Sequence, residues 1–60
     1  MKVAEIIKRL KKHGCYVTNH GARHDEWYSP VTRKYFMVPR HRSKELPTGT
    51  AESIRKAAGI

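Results

Sequence analysis

Asn19-His20-Gly21-Ala22-Arg23-His24-Asp25-Glu26-Trp27-Tyr28 is the stretch on which the fold turns. Its first four residues read as a turn, with Gly21 free to take a positive φ. From His24 to Ser29 the pattern changes to that of a strand. Alternation sends His24, Glu26 and Tyr28 to one face and Asp25 and Trp27 to the other. Upstream, Cys15-Tyr16-Val17-Thr18 is β-prone and reads as a preceding strand. Downstream, Pro30 to Arg33 reads as a hairpin loop, and Lys34 to Val38 as a third strand closed by Pro39. There Phe36 and Val38 share one face, and Tyr35 and Met37 the other.

The flanks of this β unit are helical. Val3, Ile6, Ile7 and Leu10 recur at i, i+3, i+4 and i+7, which predicts an amphipathic helix over Val3–His13. Lys11, Lys12 and His13 suit the negative end of its dipole, and Gly14 is placed to end it. Arg40 to Pro47 forms a basic connection, with Leu46 expected to turn back onto the core. A second helix is predicted over Thr50–Ala58, capped by Thr48 or Thr50, with Ala51, Ile54 and Ala58 inward. Gly59 ends it and Ile60 returns toward the core. The order helix, three strands, helix predicts an α+β fold. Short turns imply an antiparallel meander with both helices on one face. The opposite sheet face is then left for a partner or a nucleic acid.

A chain of 60 residues reads as one domain over residues 1–60. Such a chain buries only about 60% of its unfolded surface, so any active site must be a shallow surface feature. Thirteen Lys and Arg against five Asp and Glu give a net charge of +8. That balance favours a polyanionic partner: nucleic acid, an anionic membrane surface or an acidic protein. The cations are dispersed along the chain, which points to a folded basic surface rather than a basic tail. One cysteine, Cys15, excludes an intrachain disulfide. The first segment is charged throughout, unlike a signal peptide, and no apolar run approaches the roughly 20 residues of a membrane span. A cytoplasmic location and no membrane partner are therefore expected.

Histidine is suited to proton transfer because its reference pKa of about 6.5 lies near working pH. From residue type alone, however, a histidine at a strand start is more often a solvated or hydrogen-bonded residue. His41 lies in Arg40-His41-Arg42, which reads equally as a basic RNA-contact loop. His13 reads as a helix-end residue and His20 as a turn residue. His20 and His24 have an acceptable spacing for zinc, with Cys15 and His13 nearby. A structural zinc site normally shows paired cysteines, so no metal or cofactor is expected. The aromatic residues have two readings as well. Phe36 and Trp27 are expected in the core, whereas Tyr28 or Tyr35 could lie on the open face with His24, where aromatics among cations stack on unpaired bases.

Several of these segments together resemble the HicA family, the toxin half of the HicA–HicB toxin–antitoxin systems. The resemblance runs through the first helix closing at His13-Gly14, Cys15-Tyr16-Val17, Gly21-Ala22-Arg23-His24-Asp25 and Met37-Val38-Pro39-Arg40-His41. Its most specific part is the tail from Leu46 to Ile60, where Leu-Pro, Gly-Thr, Ile and Ala-Gly-Ile recur at the family's spacing. The resemblance implies a fold like a double-stranded-RNA-binding domain. It implies a metal-independent endoribonuclease that cleaves messenger RNA and a HicB-type antitoxin that restrains it. The family's essential histidine follows a glycine at the head of the second strand, which here is His24. Many members place it two residues after the glycine; in this chain the separation is three. With His24 as the catalytic residue, Arg23, Lys34, Arg40, His41 and Arg42 are the candidate RNA-binding residues. Arg23, Arg40 and Lys34 are the candidates for charge stabilisation at the scissile phosphate, and His41 for a second proton transfer if it lies near His24. Two other functions fit the composition. A non-catalytic RNA-binding module would need only the charge. A DNA-binding regulator would need a recognition helix, and none is evident.

Overall fold

In the computed structural model, which describes residues 1–60, helix α1 spans Val3–Lys12 and strands β1, β2 and β3 span Tyr16–His20, His24–Ser29 and Lys34–Pro39. Helix α2 spans Thr48–Ala58. The strands form an antiparallel sheet in the order β1-β2-β3. The architecture is α+β with the arrangement of a double-stranded-RNA-binding domain.

The predicted stripe of α1 is the one that is buried: Val3, Ile6, Ile7 and Leu10 all face inward. The helix ends where expected, as Gly14 adopts a φ of +86° and the Cys15 N–H donates to the Leu10 carbonyl at 2.9 Å. On the sheet, Val17, Trp27 and Phe36 lie side by side in register and pack against both helices. Cys15, Val38, Leu46, Ala51, Ile54 and Ala58 complete that single cluster, so the helices share one face of the sheet. Leu46 is buried, as its sequence position suggested.

The C-terminal end of α2 is fixed to the β2–β3 hairpin through polar groups. The buried Ser29 hydroxyl donates to the Ala58 carbonyl at 2.6 Å, and the Thr32 hydroxyl donates to the Ala57 carbonyl. Two carbonyls left over at the helix end are thereby satisfied. Gly59 follows with a φ of +76°, and a Cβ there would lie 2.8 Å from the Thr32 methyl carbon. Glycine is required on both counts.

Three local expectations are corrected. Strand β1 begins at Tyr16 and continues through Asn19 and His20, which had read as turn residues. A bulge at Thr18 makes this possible. Val17 opposes Trp27, but Asn19 opposes Glu26, so one residue is extra. The Thr18 hydroxyl holds the irregular step by donating to the Glu26 carboxylate at 2.9 Å. Gly21 does not adopt a positive φ, which is confined to Gly14 and Gly59 among the glycines. Its requirement is space instead: a Cβ at Gly21 would lie 2.3 Å from the His24 carbonyl oxygen. Finally, α2 starts at Thr48 with Pro47 in the capping position, and neither threonine makes a side-chain cap. The fixed φ of Pro47 sets the chain direction where a hydroxyl cap had been anticipated.

Candidate functional site

The β1–β2 turn, the end of β3 and the following basic loop meet at one end of the sheet. His24 heads β2 with its ring exposed, paired in register with Pro39. The Gly21 N–H donates to the His24 carbonyl at 3.0 Å, which folds the turn tightly back on the strand. Arg40 then locks that turn from the other side. Its backbone N–H donates to the Arg23 carbonyl at 3.0 Å, carrying the β2–β3 ladder one step further. Its guanidinium Nη1 donates to the Gly21 carbonyl at 2.9 Å. Its Nε lies 3.3 Å from Oδ1 of Asp25, and His20 Nδ1 lies 3.3 Å from the same oxygen. Asp25 projects toward the helix side of the sheet and is mostly buried, so the Arg40 guanidinium, with the His20 ring nitrogen as a second polar partner, explains how its charge is tolerated.

The bulge in β1 is what brings His20 into this cluster. Without the extra residue, alternation would turn His20 to the open face; with it, His20 stands opposite Asp25. The basic loop is fastened separately. The Ala4 and Val3 N–H groups at the start of α1 donate to the carbonyls of Arg42 and Lys44, each at 2.9 Å. Backbone carbonyls thus satisfy the helix start, where no side chain caps it, and the Arg42 and Lys44 side chains remain exposed. The amino group of Met1 also pairs with Glu45 at 2.7 Å. That pairing raises the amine's pKa above its ordinary value and lowers that of the Glu45 carboxyl, in each case chiefly through their hydrogen bond.

The result is a groove of about 440 Å³ lined by Ala22, Arg23, His24, Pro39, Arg40, His41 and Lys44. An adjoining recess is lined by Ala22, Arg40, His41 and Arg42. Neither has an acidic residue in its wall. The structure therefore brings together His24, Arg23, Arg40, His41 and Arg42 from the sequence reading. His41 meets the condition set for it, since it lines the same groove as His24. Lys34 is not brought there. It pairs with Ser29 at the other end of β2, five residues from His24, or about 17 Å along a strand. Lys44 joins the groove in addition; its charge was visible in the sequence, but not the turn that returns it toward β2. Asp25 was also missed, although a carboxylate on the core-facing side of a strand is itself a sign that a cation must meet it.

Cys15 is buried in the core, and His13 caps the far end of α1. No three His, Cys, Asp or Glu side chains are grouped to hold a metal ion. No helix is long and apolar enough to cross a membrane.

Fold and groove together define a small basic protein of the double-stranded-RNA-binding-domain type, with an exposed histidine set among cations. The family model for the HicA toxin of bacterial toxin–antitoxin systems matches residues 3–60, and the chain belongs to that family. No curated protein gives a match to it. Membership of a toxin–antitoxin family carries with it an antitoxin as partner.

Proposed function

We propose that this protein is the endoribonuclease toxin of its toxin–antitoxin pair, cutting messenger RNA in the cytoplasm with His24 as the catalytic residue. The observation that carries this reading is the exposure of His24 in a groove whose charged walls are all cationic. RNA supplies its own nucleophile. The 2′-oxygen attacks the adjacent phosphorus, the bond from phosphorus to the 5′-oxygen breaks, and a 2′,3′-cyclic phosphate and a 5′-hydroxyl remain. One proton leaves the 2′-hydroxyl and one arrives at the departing 5′-oxygen. A positioned imidazole contributes roughly 10²- to 10⁴-fold to such transfers. His24 performs one of them, and His41 in the same groove is the candidate for the other. Arg23 and Arg40 offset the charge that builds on the phosphorane. Arg42 and Lys44 hold neighbouring phosphates, and Lys34 meets RNA only where the strand extends along the sheet. No step requires a metal ion.

A HicB-type antitoxin restrains the enzyme by covering the groove, and charge complementarity makes that association fast and salt-sensitive. Binding that does not weaken as salt rises would count against this mode of inhibition. The nuclease reading itself is tested by incubating purified protein with RNA in a chelator. New 5′-hydroxyl and cyclic-phosphate ends are expected. Intact RNA that is nevertheless bound would favour the alternative, a basic RNA-binding module without catalysis.

A further inference from the structure

The sheet face away from the helices carries a feature that proton transfer at His24 does not use. Tyr16, Tyr28 and Tyr35 stand opposite one another across all three strands. Their ring centroids are 5.6 Å and 4.9 Å apart, with the planes tilted by 50° and 54°. The two outer rings are 53% and 62% exposed, while Tyr28 is half-buried between them. These rings contribute little to the core, which lies on the other face and is complete without them. Large aromatic groups left in water on one surface call for an occupant.

We propose that the three tyrosines form a stacking platform for unpaired bases of the RNA strand whose phosphates lie in the His24 groove, so that the substrate is single-stranded RNA. The proposal rests on the nuclease reading for the placement of the phosphates. Continuity favours it: His24 and Tyr28 project from the same face of β2, four residues or about 13 Å apart. A strand entering the groove and running along β2 brings its bases over the rings. Charge favours it too. Of the five acidic residues, only Glu26 lies on this face, and its carboxylate is engaged by Thr18. Asp25 projects to the other face and is paired with Arg40, Glu5 lies on α1, and Glu45 is paired with the Met1 amine and Glu52 with Arg55. A duplex is a poor occupant, because its base faces are hidden in its own stack. The two outer tyrosines keep more than half of their surface free, and an aromatic face accepts any base, which makes such stacking tolerant of base identity.

The test is equilibrium binding of a 12-nucleotide 2′-O-methyl oligonucleotide, which cannot be cut, compared with an abasic oligonucleotide of the same charge and a duplex of the same sequence. The parent is expected to bind the single strand roughly 100-fold more tightly than the abasic strand, since stacking is worth roughly tenfold per base and the two outer rings each take one. Tyr16→Leu/Tyr35→Leu should abolish that preference, weakening single-strand binding roughly 100-fold for two rings while leaving abasic binding unchanged. Tyr16→Phe/Tyr35→Phe keeps both rings and should bind within about threefold of the parent, because the π-face is retained. Equal affinity of the parent for normal and abasic strands would overturn the platform without relying on any variant. So would a folded leucine variant that keeps RNA affinity but loses the antitoxin, since the face would then be a protein interface. Failure of the nuclease reading shows separately: ordinary RNA stays uncut by the parent while the preference for bases persists.

Discussion

Replacing Gly21 with alanine isolates the link between the turn and the groove that holds His24. The added methyl carbon would begin 2.3 Å from the His24 carbonyl oxygen, a backbone atom with no rotamer through which to escape. The turn must open, and the hydrogen bond from the Gly21 N–H to that carbonyl must lengthen beyond use. Loss of one backbone hydrogen bond costs about 0.5–1.5 kcal/mol. Forcing the surrounding backbone into a less favourable conformation adds about 1–3 kcal/mol. A total near 3 kcal/mol is a large fraction of the roughly 3–9 kcal/mol expected for 60 residues at ordinary stability per residue. For a domain of this size it lowers Tm by about 12–24 °C. The opening also carries the Gly21 carbonyl away from Arg40 Nη1, so the cation and His24 both lose their alignment. Thermal melting by circular dichroism gives the first quantity, and RNA cleavage at a temperature well below both melting points gives the second. The expected result is a clear fall in Tm together with at least a tenfold drop in cleavage, because small misplacements of a reacting group are costly. A Gly21→Ala protein that melts and cuts like the parent would refute the close-approach requirement.

Other expectations follow from the same contacts. Asp25→Asn removes the anion shared by Arg40 and His20; it should change stability by less than about 1 kcal/mol, since both partners are largely exposed, yet slow cleavage through loss of Arg40 alignment. Urea unfolding and single-turnover cleavage would show the two effects separately. Ser29→Ala leaves the Ala58 carbonyl and the Val31 N–H without their buried partner, and should cost about 1–3 kcal/mol by urea unfolding with little change in RNA affinity at temperatures where the fold is intact. If Arg23, Arg40, Arg42 and Lys44 each meet a phosphate, the log–log salt dependence of single-strand binding should have a slope of roughly −3, and Arg42→Ala should reduce it by about 0.7. The Met1–Glu45 pair should shape the pH dependence at its two ends. Because the Glu45 pKa is lowered in the folded protein, its contribution is present above the ordinary carboxylate range and is lost as pH falls through the lowered value. Because the amine's pKa is raised, its contribution is present below the ordinary value and is lost as pH rises through the raised one. Glu45→Gln should flatten the stability profile at both ends, most visibly at low salt.

The helices and strands were legible because each carries a period that only one local structure satisfies. Val3, Ile6, Ile7 and Leu10 make sense on a helix alone, and Trp27 against Tyr28 or Phe36 against Tyr35 on a strand alone. The turn around Gly21 was legible as a turn but not in its mechanism. A glycine's need for space depends on where the His24 carbonyl returns, which no local pattern specifies. His20 was read as a turn residue because the bulge that extends β1 is a matter of register against β2, where Thr18 bonds to Glu26, and no local pattern specifies it. The grouping of His24 with His41 depends on register between β2 and β3 and on the anchoring of the basic loop to α1. Lys34 illustrates the converse: its charge suited the scissile phosphate, but the same register places it at the far end of the strand. Residue type supplied the candidates for the site, and tertiary pairing selected among them.

The most direct measurement is the rate at which purified His24→Ala cuts RNA beside the parent protein, in chelator and at matched concentration. The exposed ring makes few packing contacts, so the variant should fold within about 0.5 kcal/mol of the parent and bind RNA nearly as well. Its cleavage rate should fall by roughly 10²-fold or more. A folded His24→Ala protein that cleaves RNA as fast as the parent would contradict the assignment of proton transfer to this residue.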